Sequence, residues 1–396
     1  MTPSRMSERR TTFLGAFLTT LGPISMAIYT PAMPELVRAF GTTDAAIKMS
    51  LSLFFAGFAL AQLVAGPLSD ALGRKRATLI FLGIYVTGSM LATIAPSVEF
   101  ILAARLVQGI GASVGVVVGR AIVRDLYTGA EASRILNTIG IFLAVGPAMG
   151  PTLGGLTLAA FGWNAVFLLM VGFGLLALTF TLALLRETIV PDLGKLRPAQ
   201  LLSGYAEVAG NARFLAASLV LSGTIGALYA QSTMLPFVLI NTVGLTPTQF
   251  GIGMLMQSGF YLLGSLTLKL FASRLGGARA ALIGITLCGL GGLIMAASVA
   301  FVPPFFLSIM GPVAICTFGL AFLTPHVITL SMAPFPHIAG SASALTGFLQ
   351  MSAGFAGGIA AASVGDPLTA FGIIIPTMQL SAVAGFLWLR LLVERA

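Results

Sequence analysis

Apolar residues run along this chain in long blocks, broken by short clusters of Lys, Arg, Gly and Pro. Twelve blocks stand out, at 12–36, 46–66, 77–95, 99–119, 133–158, 163–185, 213–240, 248–270, 279–301, 304–331, 341–363 and 367–392. About 20 apolar residues wound as a helix cross a bilayer, and a helix satisfies its own backbone polar groups there. Each block therefore predicts one transmembrane helix. The longest polar interval, "RETIVPDLGKLRPAQLLSGYAEVAGNAR" at 186–213, separates six helices from six. The predicted organisation is an N-terminal six-helix bundle over 1–185, a central loop over 186–212 and a C-terminal six-helix bundle over 213–396.

The two halves share a weak repeat. A shift of 203 residues lays "DALGRKR" (70–76) over "SRLGGAR" (273–279), and Gly154-Gly155 over Gly357-Gly358. Related bundles of this kind place a substrate site between them. The expected fold is all-α, two pseudo-symmetric six-helix bundles in a membrane.

Composition agrees with the pattern. The 396 residues are 57% hydrophobic and 8% charged, with a mean hydropathy of +1.00, whereas soluble chains carry about 25% charged residues. With an even helix count both termini share one side. That side receives 18 of the 21 Lys and Arg, from Arg5 to Arg395 and including "GRKR" at 73–76, Arg120, Arg124, Arg134, Arg186, Lys195 and Arg197. The other side has only Arg38 and Lys48. The positive-inside rule makes the termini cytoplasmic. The net charge of +9 then reflects topology and attraction to anionic membrane lipid, with no nucleic-acid partner. The apolar run after "MTPSRMSERR" is too long for a cleavable signal, so it reads as an uncleaved first helix. Cys288 and Cys316 lie in apolar runs and read as buried thiols.

"GPLSDALGRKR" (66–76) resembles the loop motif between helices 2 and 3 of the major facilitator superfamily. Gly66 would permit close helix packing, Gly73 a tight turn, and Asp70 could cap a helix or pair with Arg. The resemblance implies that Asp70 and Arg74 form a charge cluster with Asp125, which Arg120 or Arg124 could share, latching the halves in an outward-open state. "RLVQGIGAS" (105–113) resembles the helix 4 motif of proton-linked members. Arg105, a charge well inside a span, must face a cavity or a partner. "GPAMGPTLGG" (146–155) resembles the helix 5 motif of exporters. Gly146, Gly150 and Gly154 recur every four residues and line one packing face; Pro147 and Pro151 would bend the helix, and Gly155 completes the motif. "RAIVRDLYTGAEASRILN", "GWNAVF" and "MAPFPHIAGSASALTGFLQ" resemble the Bcr/CflA group of bacterial drug-resistance exporters. That resemblance implies export of small amphipathic drugs or metabolites by alternating access, exchanged for protons.

One position departs from the group. Its helix 1 stretch carries an aspartate where "SMAIYTPAMP" (25–34) has Ala27. All twelve acidic residues fall at helix ends or in loops, so no midplane carboxylate is available for desolvation to tune. Glu35, at the outer mouth, His326, which titrates near neutrality, and Arg105 are the remaining coupling candidates. Tyr29, Gln108, Asn137, Tyr229 and Gln257 are the substrate-binding candidates, since such sites are mostly apolar with a few oriented polar groups. Without a midplane acid, neutral or weakly anionic substrates are expected. Alternatives are an uncoupled facilitator and a non-transporting sensor on the same scaffold. No metal spacing, nucleophile elbow or phosphate loop points to an enzyme. No cofactor is implied, and a monomer is expected.

Overall fold

The computed structural model describes residues 6–196 and 198–394. Arg5, Arg197 and Arg395 lie outside the described residues, as do the side chains of Pro147, Lys195 and Ser273. The described chain is helical, in the order α1 (Glu8–Tyr29), α2 (Met33–Ala39), α3 (Asp44–Leu72), α4 (Arg74–Thr93), α5 (Val98–Leu126), α6 (Gly129–Phe161), α7 (Trp163–Leu184), α8 (Pro198–Ala209), α9 (Ala212–Pro236), α10 (Pro247–Phe301), α11 (Phe306–Met332), α12 (Ala339–Val364) and α13 (Pro367–Glu394).

Local chemistry sets most boundaries. Thr43, Ser97 and Asn211 accept a backbone N–H in the first turns of α3, α5 and α9, satisfying donors that a helix start leaves orphaned. Thr246 and Gln249 form a capping box around Pro247 at the start of α10. Gly73 ends α3 at φ 94°, a conformation that glycine tolerates without steric cost. Pro31 turns α1 through one 3₁₀ turn, Thr30–Ala32, into α2, and α9 continues as a π-helical turn, Phe237–Thr242.

Among the described residues, ten segments are long and apolar enough to cross a membrane. The two further passes are α6 and the first part of α10, which spans 55 residues but breaks at Gly276, φ 67°. The twelve passes coincide with the twelve apolar blocks to within a few residues, most running longer. The extension matters in α5: Arg120 and Arg124, expected at a loop, belong to the helix.

Helices α1 to α7 pack among themselves, as do α9 to α13, and the halves meet where α3 lies against α12 and α6 against α10. On the side opposite the termini this seam is closed. Thr152 donates its hydroxyl to the Gly251 carbonyl at 3.0 Å, Ser52 abuts Gly358, and Phe237 of the C-terminal half joins the N-terminal core. On the termini side, α8 touches both halves. Its Tyr205 donates to the Leu63 carbonyl of α3 at 2.7 Å, and its Glu207 pairs with His337, just before α12, at 2.9 Å.

Candidate functional site

The N-terminal bundle encloses a cation. Arg105 is fully buried, its guanidinium over the Tyr29 ring at 4.3 Å and the Phe54 ring at 4.4 Å. Nη1 donates to Gln108, while Nε and Nη2 have no partner. Gln108 donates to Ser89 at 2.7 Å and contacts the Met170 sulfur. Tyr29 shares a 2.5 Å hydrogen bond with Ser50, and Tyr85 one of 2.6 Å with Ser25. The ring faces therefore stand in for the missing carboxylate, a cation–π arrangement worth about 2 kcal/mol when desolvated. Tyr29 and Gln108 were expected to face a cavity. They are instead buried among α1, α3, α4, α5 and α7, because Arg105 draws their polar and aromatic surfaces inward.

The glycine face of α6 has an identified neighbour. A Cβ at Gly146, Gly150 or Gly154 would collide with Thr20, Ala27 or the Ile28 carbonyl of α1. Ala27 is itself pressed against Gly150, at 2.5 Å from where that Cβ would stand. A second face of the same motif crosses the seam: Gly155 abuts the Pro247 carbonyl, and Gly251 abuts Pro151. Close backbone approach of this kind supplies the packing that apolar lipid contacts cannot.

Lys48 stands at the same seam. It is fully buried, its Nζ has no hydrogen-bond partner, and it lies 5.4 Å from the Phe237 ring centre. The carboxylates in its electrostatic surroundings are Asp44 and Asp366. Asp366, between α12 and α13, accepts the Thr369 N–H at 2.7 Å, which holds its carboxyl below the ordinary range. Sequence reasoning counted Lys48 only as a loop-side charge. Its place four residues inside α3 was the available signal.

Tyr229 and Gln257 sit in the C-terminal half. Tyr229 packs at a tilt on Phe55 of α3 at 5.6 Å, and Gln231 donates to Gln257 at 2.8 Å, tying α9 to α10. Other candidates are dispersed. Glu35 pairs with Arg38 at the surface at 3.5 Å. Asn137 is exposed on α6. His326 packs against Gly277 beside the α10 break.

The charge cluster forms, in a form the sequence did not predict. Arg74 pairs with Asp70 and with Asp125, 2.9 Å away. Thr188 donates to Asp125 at 2.6 Å, and Glu187 accepts the Arg74 and Lys75 N–H groups at 2.7 and 3.2 Å. In this conformation every member belongs to the N-terminal bundle or the start of the linker, so the cluster does not bridge the halves. Arg120 and Arg124 stay outside it. Glu187 explains Gly73, where any Cβ would strike its carboxylate, whereas a Cβ at Gly66 would meet only Val117 at 3.7 Å. Close packing is therefore not what Gly66 serves.

Two helical bundles meeting along a seam, with polar groups buried in membrane-spanning helices, are the architecture of a multi-pass membrane protein. The chain belongs to the Major Facilitator Superfamily, whose sequence model matches residues 13–358. It is 29% identical to the "Uncharacterized MFS-type transporter YdgK" of Bacillus subtilis, over 86% of each chain. It is 28% identical to "Multidrug resistance protein D" of Escherichia coli, over 84% of this chain and 83% of that one. The fold matches that of the human organic anion transporter MFSD10 with a TM-score of 0.72 at 19% identity, over 97% and 99% of the two chains. At that identity the likeness is one of fold. The protein is a membrane transporter of small molecules and not an enzyme.

Proposed function

We propose that this protein exports small amphipathic drugs or metabolites, neutral or weakly anionic, across a bacterial inner membrane by alternating access. Both termini are cytoplasmic, the bundles 1–185 and 213–396 move as bodies, and the segment 186–212 links them. The protein works as a monomer among membrane lipids. The observation that carries the reading is the double-faced α6 motif. One face locks α6 onto α1 within its own bundle, and the other closes against α10 of the opposite bundle, as a rocking contact requires. The relative named for multidrug resistance supports the direction of transport.

Exchange for protons is the first reading of the energetics. Uncoupled facilitation is favoured by one observation: Ala27 occupies a packed contact with Gly150, at the position where the resemblance to the drug-exporter group leads one to expect an aspartate. Purified protein in liposomes with an imposed pH gradient and labelled chloramphenicol separates them. Flux accelerated by the gradient is the expected result, equal flux with and without it establishes the facilitator, and binding without flux leaves only a sensor. Strong export of ethidium-like dications would contradict the proposed substrate class.

A further inference from the structure

We propose that Arg120, backed by Arg124, is an anion-recognition site in the space between the bundles, and that the transported molecule presents a carboxylate to it. The inference deepens the export reading and rests on it.

The argument starts from one side of α5. Fifteen residues separate Arg105 from Arg120, which displaces them by about 22 Å along the helix and turns them by only about 60°. At Arg105, Tyr29 of α1 and Phe54 of α3 close over the cation. At Arg120 the side chain is exposed. Helix α5 packs on α1, α3 and α4 of its own bundle, and these leave the Arg120 side chain uncovered. Tyr229 of α9 in that bundle is within electrostatic reach of Arg120.

The charge there is uncompensated. Arg124, one turn nearer the termini side, is also exposed and repels Arg120. Among the described residues neither arginine forms an ion pair. The nearest acid in sequence, Asp125, is already held by Arg74 and Thr188. A like-charged i, i+4 pair weakens a helix, so an exposed and unneutralised pair calls for an anion from outside the chain. The guanidinium fork matches a carboxylate in two parallel hydrogen bonds. Tyr229, half-buried and packed at a tilt on the buried Phe55 at 5.6 Å, supplies aromatic surface for the apolar body of the same molecule.

The test uses full-length protein in phosphatidylcholine liposomes and two labelled probes of one shape, naphthylacetate and its uncharged amide, naphthylacetamide. At neutral pH the wild type binds the acetate about tenfold more tightly than the amide, the scale of one charged hydrogen bond. Arg120→Gln brings that ratio close to one. Arg120→Lys, which keeps the charge and loses the fork, gives an intermediate ratio, and Arg124→Gln a smaller fall. Equal affinities in the wild type overturn the proposal, as does a ratio that survives in Arg120→Gln protein melting like the wild type. If the glutamine variant does not fold, an unchanged ratio in both Arg120→Lys and Arg124→Gln overturns it. Displacement of the acetate by phosphatidylglycerol-rich liposomes would assign the pair to a lipid headgroup and overturn it too. Chloramphenicol flux, with or without the gradient, distinguishes the failures: if it persists, only the anion site is lost, and if there is none under either condition, the export reading falls with it.

Discussion

Arg105 and Arg120 carry the same side chain on the same helix and meet opposite environments. Arg105 has two donor nitrogens without acceptors and two aromatic rings instead of a counter-ion. Replacing an imperfectly paired buried ion by an apolar side chain of similar volume is often neutral or stabilising. Arg105→Met is therefore expected to melt at or above the wild-type temperature while losing transport. Arg105→Ala, which opens a void, should lose about 2–4 kcal/mol of stability. A methionine variant that melts well below the wild type would show the cation to be structural. At this scale the sequence made the residue types legible: a charge inside an apolar block announced Arg105. It did not reveal which neighbours would face it. Tyr29 and Gln108 were readable as polar or aromatic positions inside spans, but their direction depends on how α1 and α5 are rotated about their axes.

The α6 motif shows what the element scale adds. Spacing of four placed Gly146, Gly150 and Gly154 on one face, and the structure names α1 as what that face meets. The second face, Pro151 and Gly155 against α10, had no periodic signal because its partner glycine, Gly251, lies in another bundle. A Cβ on Gly251 would stand 2.5 Å from the Pro151 carbonyl, and overpacking a fitted contact costs about 1–3 kcal/mol. Gly251→Val is thus expected to open the seam on the side opposite the termini. Both native cysteines are buried, so Ser52→Cys gives a single reporter beside Gly358. Its labelling by an impermeant maleimide from that side should rise about tenfold when Gly251→Val is added, the factor that 1.4 kcal/mol of population shift produces. Unchanged labelling would mean that this contact does not govern closure.

Across the whole molecule, the Arg74 cluster and α8 tie the segment between α7 and α9 to both halves. Asp125 holds both Arg74 and Thr188, while Tyr205 and Glu207 of α8 fasten to α3 and to the approach of α12. Asp125→Asn weakens the Arg74 pair and leaves the seam untouched. Turnover should fall about fivefold, the effect of roughly 1 kcal/mol of lost coupling, with drug affinity nearly unchanged and faster proteolytic cleavage within 186–212. A large loss of affinity at normal turnover would remove the cluster from the conformational cycle. The number of passes and the apolar stretch of each were legible in the chain alone, because bilayer thickness and backbone hydrogen bonding impose a length and an apolarity on every pass. The placement of charge was decided only by tertiary structure. Whether Arg105 or Lys48 is enclosed, and whether Arg120 is left open to a ligand, depends on which helices close over each site, and that is a property of packing between segments far apart in sequence.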